Sequence, residues 1–154
     1  MTMGKVMSKS ILIADPTVVK LEPEPISRDW VLSGAPEGSS KVLARSSDWL
    51  LTLVVWECTP GRFEWHYKKD EIVFVLSGAV TITTDRGEQR SFGAGDVVFF
   101  PAGSMCTWEV TERIRKVAVL RDTLWTPVGM CIAVCSRVMR MIGWRVVRLR
   151  RALR

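Results

Sequence analysis

One histidine, one tyrosine and no asparagine occur among the 154 residues of this chain. A single histidine, His66, excludes the H-E-x-x-H pattern of zinc hydrolases, which needs two histidines on one helix face. Phosphate-cradling G-x4-G-K-[ST] loops, G-x-S-x-G nucleophile elbows and dinucleotide-binding glycine fingerprints are all missing. Long apolar runs are missing too. The opening stretch "MTMGKVMSKSILIADP" holds only the short run Ile11 to Ala14, where a secretory signal needs roughly 7–15 apolar residues, so no signal is expected. The uncharged segment from Thr123 to Ser136 falls short of the ~18–20 residues of a membrane-spanning helix.

Charge of one sign is absent from one end. Residues 123–154 carry seven arginines and no lysine, aspartate or glutamate, whereas residues 1–122 hold 15 Lys+Arg against 16 Asp+Glu. The net charge of +6 therefore belongs to the tail, and the main domain has no electrostatic footprint for nucleic acid. Cys58, Cys106, Cys131 and Cys135 lack zinc-site spacing. They are expected as free thiols in a reducing cytoplasm.

What is present is β-type sequence cut by turn signals. "WLLTLVVWEC" stops at Pro60-Gly61, and "RFEWHY" alternates, with Phe63, Trp65 and Tyr67 on one face and Glu64 and His66 on the other. "EIVFVLSG", a hairpin around Asp85-Arg86-Gly87, "GDVVFFPAG", "CTWEV" and "IRKVAVL" follow. Short strands at this spacing predict an all-β sandwich or barrel. Residues 1–24 read as an extended lead-in, 25–122 as the domain and 123–154 as a basic tail. In the tail Val138, Ile142, Val146, Leu149 and Leu153 mark one face of an amphipathic helix.

The stretches "GRFEWHYKKDEIVFVLSG" and "GAGDVVFFPAGSMCTWEV" resemble the two motifs of the cupin superfamily. Glu71 and Gly78 meet the E-x6-G spacing of the first motif, and Gly95, Pro101 and Gly103 meet the G-x5-P-x-G spacing of the second. Trp65, Tyr67 and Glu71 form a W-x-Y-x3-E pattern, preceded by Trp30, Ser33, Gly34 and Pro36 and followed by Arg115-Lys116. In these features the chain is similar to small single-domain cupins of the (S)-ureidoglycine aminohydrolase-like group, over about residues 25–122. The resemblance implies a jelly-roll barrel with its site in the open mouth. Gly78, Gly87, Gly95 and Gly103 sit where strands turn, a structural job for glycine, and the resemblance commonly implies a homodimer, for which an apolar strand such as "WLLTLVVW" is suited.

Metal-binding cupins use two inward histidines, a glutamate and a third histidine, a set that suits Mn, Fe, Ni or Zn. Here the third-histidine position falls on Cys106 and the motif's asparagine position on Val110. Two strand registers are available, and they exclude each other. One turns Trp65 and Tyr67 inward with Glu71 and Cys106, and the apolar character of that face favours it. The other turns Glu64 and His66 inward, giving a mixed N/O/S set. The candidate metal ligands are thus Glu71, Cys106, Tyr67 and His66.

Glu71 is the central residue on either register, because a carboxylate facing a barrel interior is costly unless it is paired or hydrogen-bonded. Its expected role is metal ligand or general acid/base, with Tyr67 as its proton-carrying partner. Trp65, Trp108 and Cys106 are expected to bind the ligand. Two functions follow: a metal-dependent enzyme on a small polar metabolite, or a metal-free binding or structural cupin. The arginine-only tail adds the expectation of a peripheral membrane or protein contact.

Overall fold

The computed structural model describes residues 11–123 and 128–139. The chain divides into two compact units, residues 1–122 and 123–154. The first is built from β1 (Glu22–Pro23), β2 (Val31–Gly34), β3 (Gly38–Arg45), β4 (Leu51–Cys58), β5 (Gly61–His66), β6 (Asp70–Ser77), β7 (Ala79–Thr84), β8 (Gln89–Gly93), β9 (Val97–Phe100), β10 (Met105–Val110) and β11 (Ile114–Arg121). They form two antiparallel sheets, ordered β1-β3-β4-β11-β6-β9 and β2-β5-β10-β7-β8. This is the jelly-roll barrel that the strand pattern predicts.

The core lies between the sheets and follows from alternation. Val54, Trp56 and Cys58 of β4, Val73 and Val75 of β6, and Ile114 and Ala118 of β11 point inward from one sheet. Phe63, Trp108, Val110, Val80, Ile82 and Phe92 face them from the other. Phe63 and Trp108 are fully buried and stacked, with ring centroids 6.1 Å apart. Truncating such a ring to alanine removes about 3–5 kcal/mol.

Between β6 and β7 the chain reverses through Gly78, at φ +80°, where an added Cβ would run into the backbone of Arg113 and Ile114.

The lead-in is better anchored than an extended segment need be. Glu22 and Pro23 pair with Ser40 and Ser39 at the sheet edge, where the missing proline N–H leaves no ladder bond unmade. Arg115 donates hydrogen bonds to the carbonyls of Pro16 (2.9 Å) and Val19 (2.7 Å).

On the outer face, β4 is largely covered, and exposed apolar side chains gather on β6 and β9 instead, as the cross-strand pairs Ile72–Phe99 and Phe74–Val97. Residues 128–139 are helical, so helix is already present ten residues before the expected Val138; most of that amphipathic pattern lies outside the described residues. No helix among the described residues is long and apolar enough to cross a membrane.

Candidate functional site

Strand β5 uses the register with its apolar face inward. Phe63 and Tyr67 are buried and Trp65 packs against the core, while Glu64 and His66 pair at 3.5 Å on the half-exposed opposite face. His66 also lies against the Trp30 ring, at 4.9 Å between centroids. It is therefore not brought together with Glu71, Tyr67 and Cys106.

Glu71 opens the buried phase of β6, and its partner is Lys116. The Lys116 Nζ lies 2.7 Å from Glu71 Oε1, and both side chains are buried. Cross-strand pairing alone does not explain the contact, because Glu71 sits opposite Leu120 and Lys116 opposite Val75. The two are therefore about 13 Å apart along the strands at ~3.3 Å per residue, and the side chains reach toward each other over the Val73–Ala118 rung. A register shift between Arg115 and Lys116 falls beside the lysine, a place where bulges commonly re-aim a side chain. On its other side Lys116 pairs with Trp56, and its ammonium lies 4.8 Å from the Trp56 ring centroid and 4.7 Å from that of Trp108. Aromatic faces and one carboxylate thus offset part of the hydration that a buried ammonium loses.

Tyr67 and Cys106 occupy the adjoining layer. The Tyr67 oxygen accepts from Trp108 Nε1 at 3.0 Å and lies 3.9 Å from Cys106 Sγ, and its ring stacks on Phe100 at 4.4 Å. Burial, reinforced by the neighbouring Cys106 and Glu71, pushes the phenol far above its usual range. Burial also raises the Cys106 thiol, against the lowering effect of hydrogen bonds with Tyr67 and Trp108. Neutral phenol and thiol are the stable forms. No hydrogen bond joins Tyr67 to Glu71 among the described residues, so the expected acid–base couple is replaced by the Glu71–Lys116 ion pair.

Beside this pair lies a cavity of about 210 Å³, walled by Trp56, Trp65, Glu71, Lys116, Arg45 and Lys69 among others. Its charged lining comprises Arg45, Lys69 and Lys116 with Glu24 and Glu71, and Lys69 is itself paired with Asp122 at 2.7 Å. Of the expected site residues, Trp65 and Glu71 line it; Tyr67, Cys106 and Trp108 pack elsewhere in the interior. A larger depression, about 810 Å³, lies among Pro23, Ile26, Val31 and Pro36, but its charged residues, Arg28 and Glu37, are exposed. The smaller cavity holds the buried charges and is the candidate site.

The donor set does not fit a divalent metal. Among the described residues no three His, Cys, Asp or Glu side chains converge. Glu71 is bound to an ammonium that would repel a second cation, and His66 faces the other way. The sequence reading places Trp56 in the core or pocket wall, but it missed Lys116 as a site residue and the unpartnered nitrogen of Trp56. Trp56 Nε1 is buried with no hydrogen-bond partner among the described residues, a condition that costs about 1–3 kcal/mol when nothing fills it.

The two-sheet jelly roll is the fold of cupin proteins, and over these strands the chain is similar to them. Residues 46–118 match the EutQ-like cupin domain family. The acetate kinase EutQ of Clostridioides difficile (strain 630) is 30% identical over 69 residues, which cover 45% of this chain and 43% of that one. The chain thus matches less than half the length of this curated relative. The structure of Clostridium difficile EutQ is 25% identical, with a TM-score of 0.53 over 70% of this chain and 83% of that chain. A DUF861-family protein of unknown function from Pseudomonas syringae pv. tomato is 26% identical, with a TM-score of 0.64 over 69% of this chain and 46% of that one.

Proposed function

We propose that the barrel binds a compact anion, a carboxylate of a few carbon atoms, and does so without a metal. The observation that carries this reading is the Glu71–Lys116 pair in the cavity wall. An ammonium has three donors, and Glu71 takes one of them; among the described residues the other two have no hydrogen-bond acceptor. A ligand oxygen entering the cavity completes that shell. Charge-assisted bonds of this kind are the strong ones.

Size points the same way. At about 210 Å³ the cavity lies below the ~300–1,000 Å³ of drug-sized sites. A short carboxylate fits it and a nucleoside triphosphate does not. The name of the Clostridioides difficile relative, an acetate kinase, supports a small carboxylate as the ligand, whereas phosphoryl transfer is not part of this reading. Nor is the manganese chemistry of the ureidoglycine aminohydrolase-like group, although Trp65, Tyr67 and Glu71 share that group's pattern.

Calorimetric titration of metal-stripped protein with acetate, glycolate and neutral acetamide tests the proposal. Saturable binding of a carboxylate, unchanged by chelator, absent for acetamide and lost in Lys116→Met that still shows native circular dichroism, is the expected result. Binding that appears only after Mn or Zn is added, or binding by neither carboxylate, overturns it.

A further inference from the structure

Two buried indole donors lie in the interior around Lys116, and only one is satisfied. Trp108 Nε1 donates to the Tyr67 oxygen at 3.0 Å, whereas Trp56 Nε1 has no acceptor among the described residues. Trp56 is 5% exposed and forms part of the cavity wall with Glu71 and Lys116. Its ring is held from several sides. It meets Trp65 edge-on at 5.6 Å and Trp108 edge-on at 6.1 Å, and the Lys116 ammonium sits 4.8 Å from its centroid. Turning the indole to find another acceptor would break these contacts.

We infer that Trp56 is a specificity-determining residue of the cavity: its N–H donates to one oxygen of a bound carboxylate while Lys116 binds the other. The inference rests on the carboxylate-binding reading above and adds the geometry of recognition. A carboxylate offers two oxygens on one planar group, so an ammonium over the indole ring and the in-plane indole N–H would fix both its position and its plane. An amine or alkane of equal volume leaves the N–H unfilled. A site built to hydrogen-bond its ligand rejects analogues that lack the matching atom far more strongly than an apolar pocket rejects a change of size.

The test is Trp56→Phe, which keeps an aromatic ring on β4 and removes only the donor and part of the indole. Ligand-free Trp56→Phe is expected to melt at or near the wild-type temperature, because no satisfied hydrogen bond is lost. Its affinity for acetate is expected to fall about ten- to a hundred-fold, the range for a hydrogen bond to a charged group. On the wild-type protein, the indole cross-peak missing from the variant's ¹⁵N spectrum should shift on titration with acetate. A variant that binds acetate as tightly as wild type, with a static indole peak, means that water satisfies the N–H, and the inference falls. A variant that loses stability in ligand-free form while retaining affinity makes Trp56 structural and likewise overturns it. If wild-type protein binds no carboxylate, the failure belongs to the parent reading and takes this one with it.

Discussion

Lys116 and Glu71 meet at 2.7 Å although they lie four residues apart in the ladder between β11 and β6, with the small Ala118 in the intervening rung. Removing either partner leaves the other charge buried and alone. Glu71→Leu and Lys116→Met are each expected to lower the unfolding free energy by about 3–5 kcal/mol. The double variant Glu71→Leu/Lys116→Met should recover most of that loss, because both desolvation costs disappear together. Urea denaturation of the four proteins reads the coupling directly. Losses that simply add would mean that the two charges are solvated independently.

Much of this site could be read from the sequence, and the part that could not has a definite reason. The alternation in "RFEWHY" favours the register that turns Trp65 and Tyr67 inward and leaves His66 outside, because period-2 burial is a local signal. An inward Glu71 needing a partner was legible for the same reason. Its identity was not: Lys116 shares a phase with Ile114 and Ala118 in "IRKVAVL", but nothing local says which buried carboxylate it reaches. That depends on the register of β6 against β11 and on the irregularity beside Arg115. The unpartnered Trp56 N–H was equally hidden, since a tryptophan in an apolar strand reads as core whether or not its nitrogen finds an acceptor.

Thiol chemistry should divide the cysteines in two. Burial pushes the Cys58 thiol up to about 12 and raises Cys106 as well, and both are buried, while Cys131 and Cys135 are exposed. The thiolate is the reactive form, so the buried pair is doubly protected. Titration of native protein with a thiol reagent is expected to give two rapid equivalents and two more only on adding denaturant. Four rapid equivalents would show that the barrel interior opens.

Tyr67 is the chain's only tyrosine, so an ultraviolet titration of phenolate reports it alone. Burial holds its folded pKa above the ordinary 10.0, and the sign follows. The stabilisation is fully present below the unfolded pKa and is lost as pH rises beyond it, because only the unfolded chain can then release the proton. Phenolate absorbance should therefore appear together with the loss of near-ultraviolet circular dichroism in alkali. Phenolate forming in a still-folded protein near its ordinary pKa would mean that Tyr67 is wet. The Tyr67→Phe variant should remove the phenolate signal and move the unfolding transition to higher pH.

Glu57 makes the opposite pH prediction on the outer face of β4. Burial alone would raise its carboxyl, but Arg115 Nη1 at 2.9 Å and Arg113 Nη1 at 2.5 Å outweigh that and hold it below its ordinary 4.5. A depressed folded pKa stabilises the native state above about 4.5 and loses that contribution as pH falls through the folded value. Glu57→Gln should thus be less stable than wild type at neutral pH, with the difference closing in acid. The same Arg115 donates to the carbonyls of Pro16 and Val19, so loss of its carboxylate partner should also loosen the segment it anchors. Hydrogen exchange of the amides from residues 16 to 24 in Glu57→Gln measures this. Faster exchange there, with unchanged protection in β6 and β11, is the expected pattern; uniform acceleration across the barrel would instead place Glu57 in its global stability.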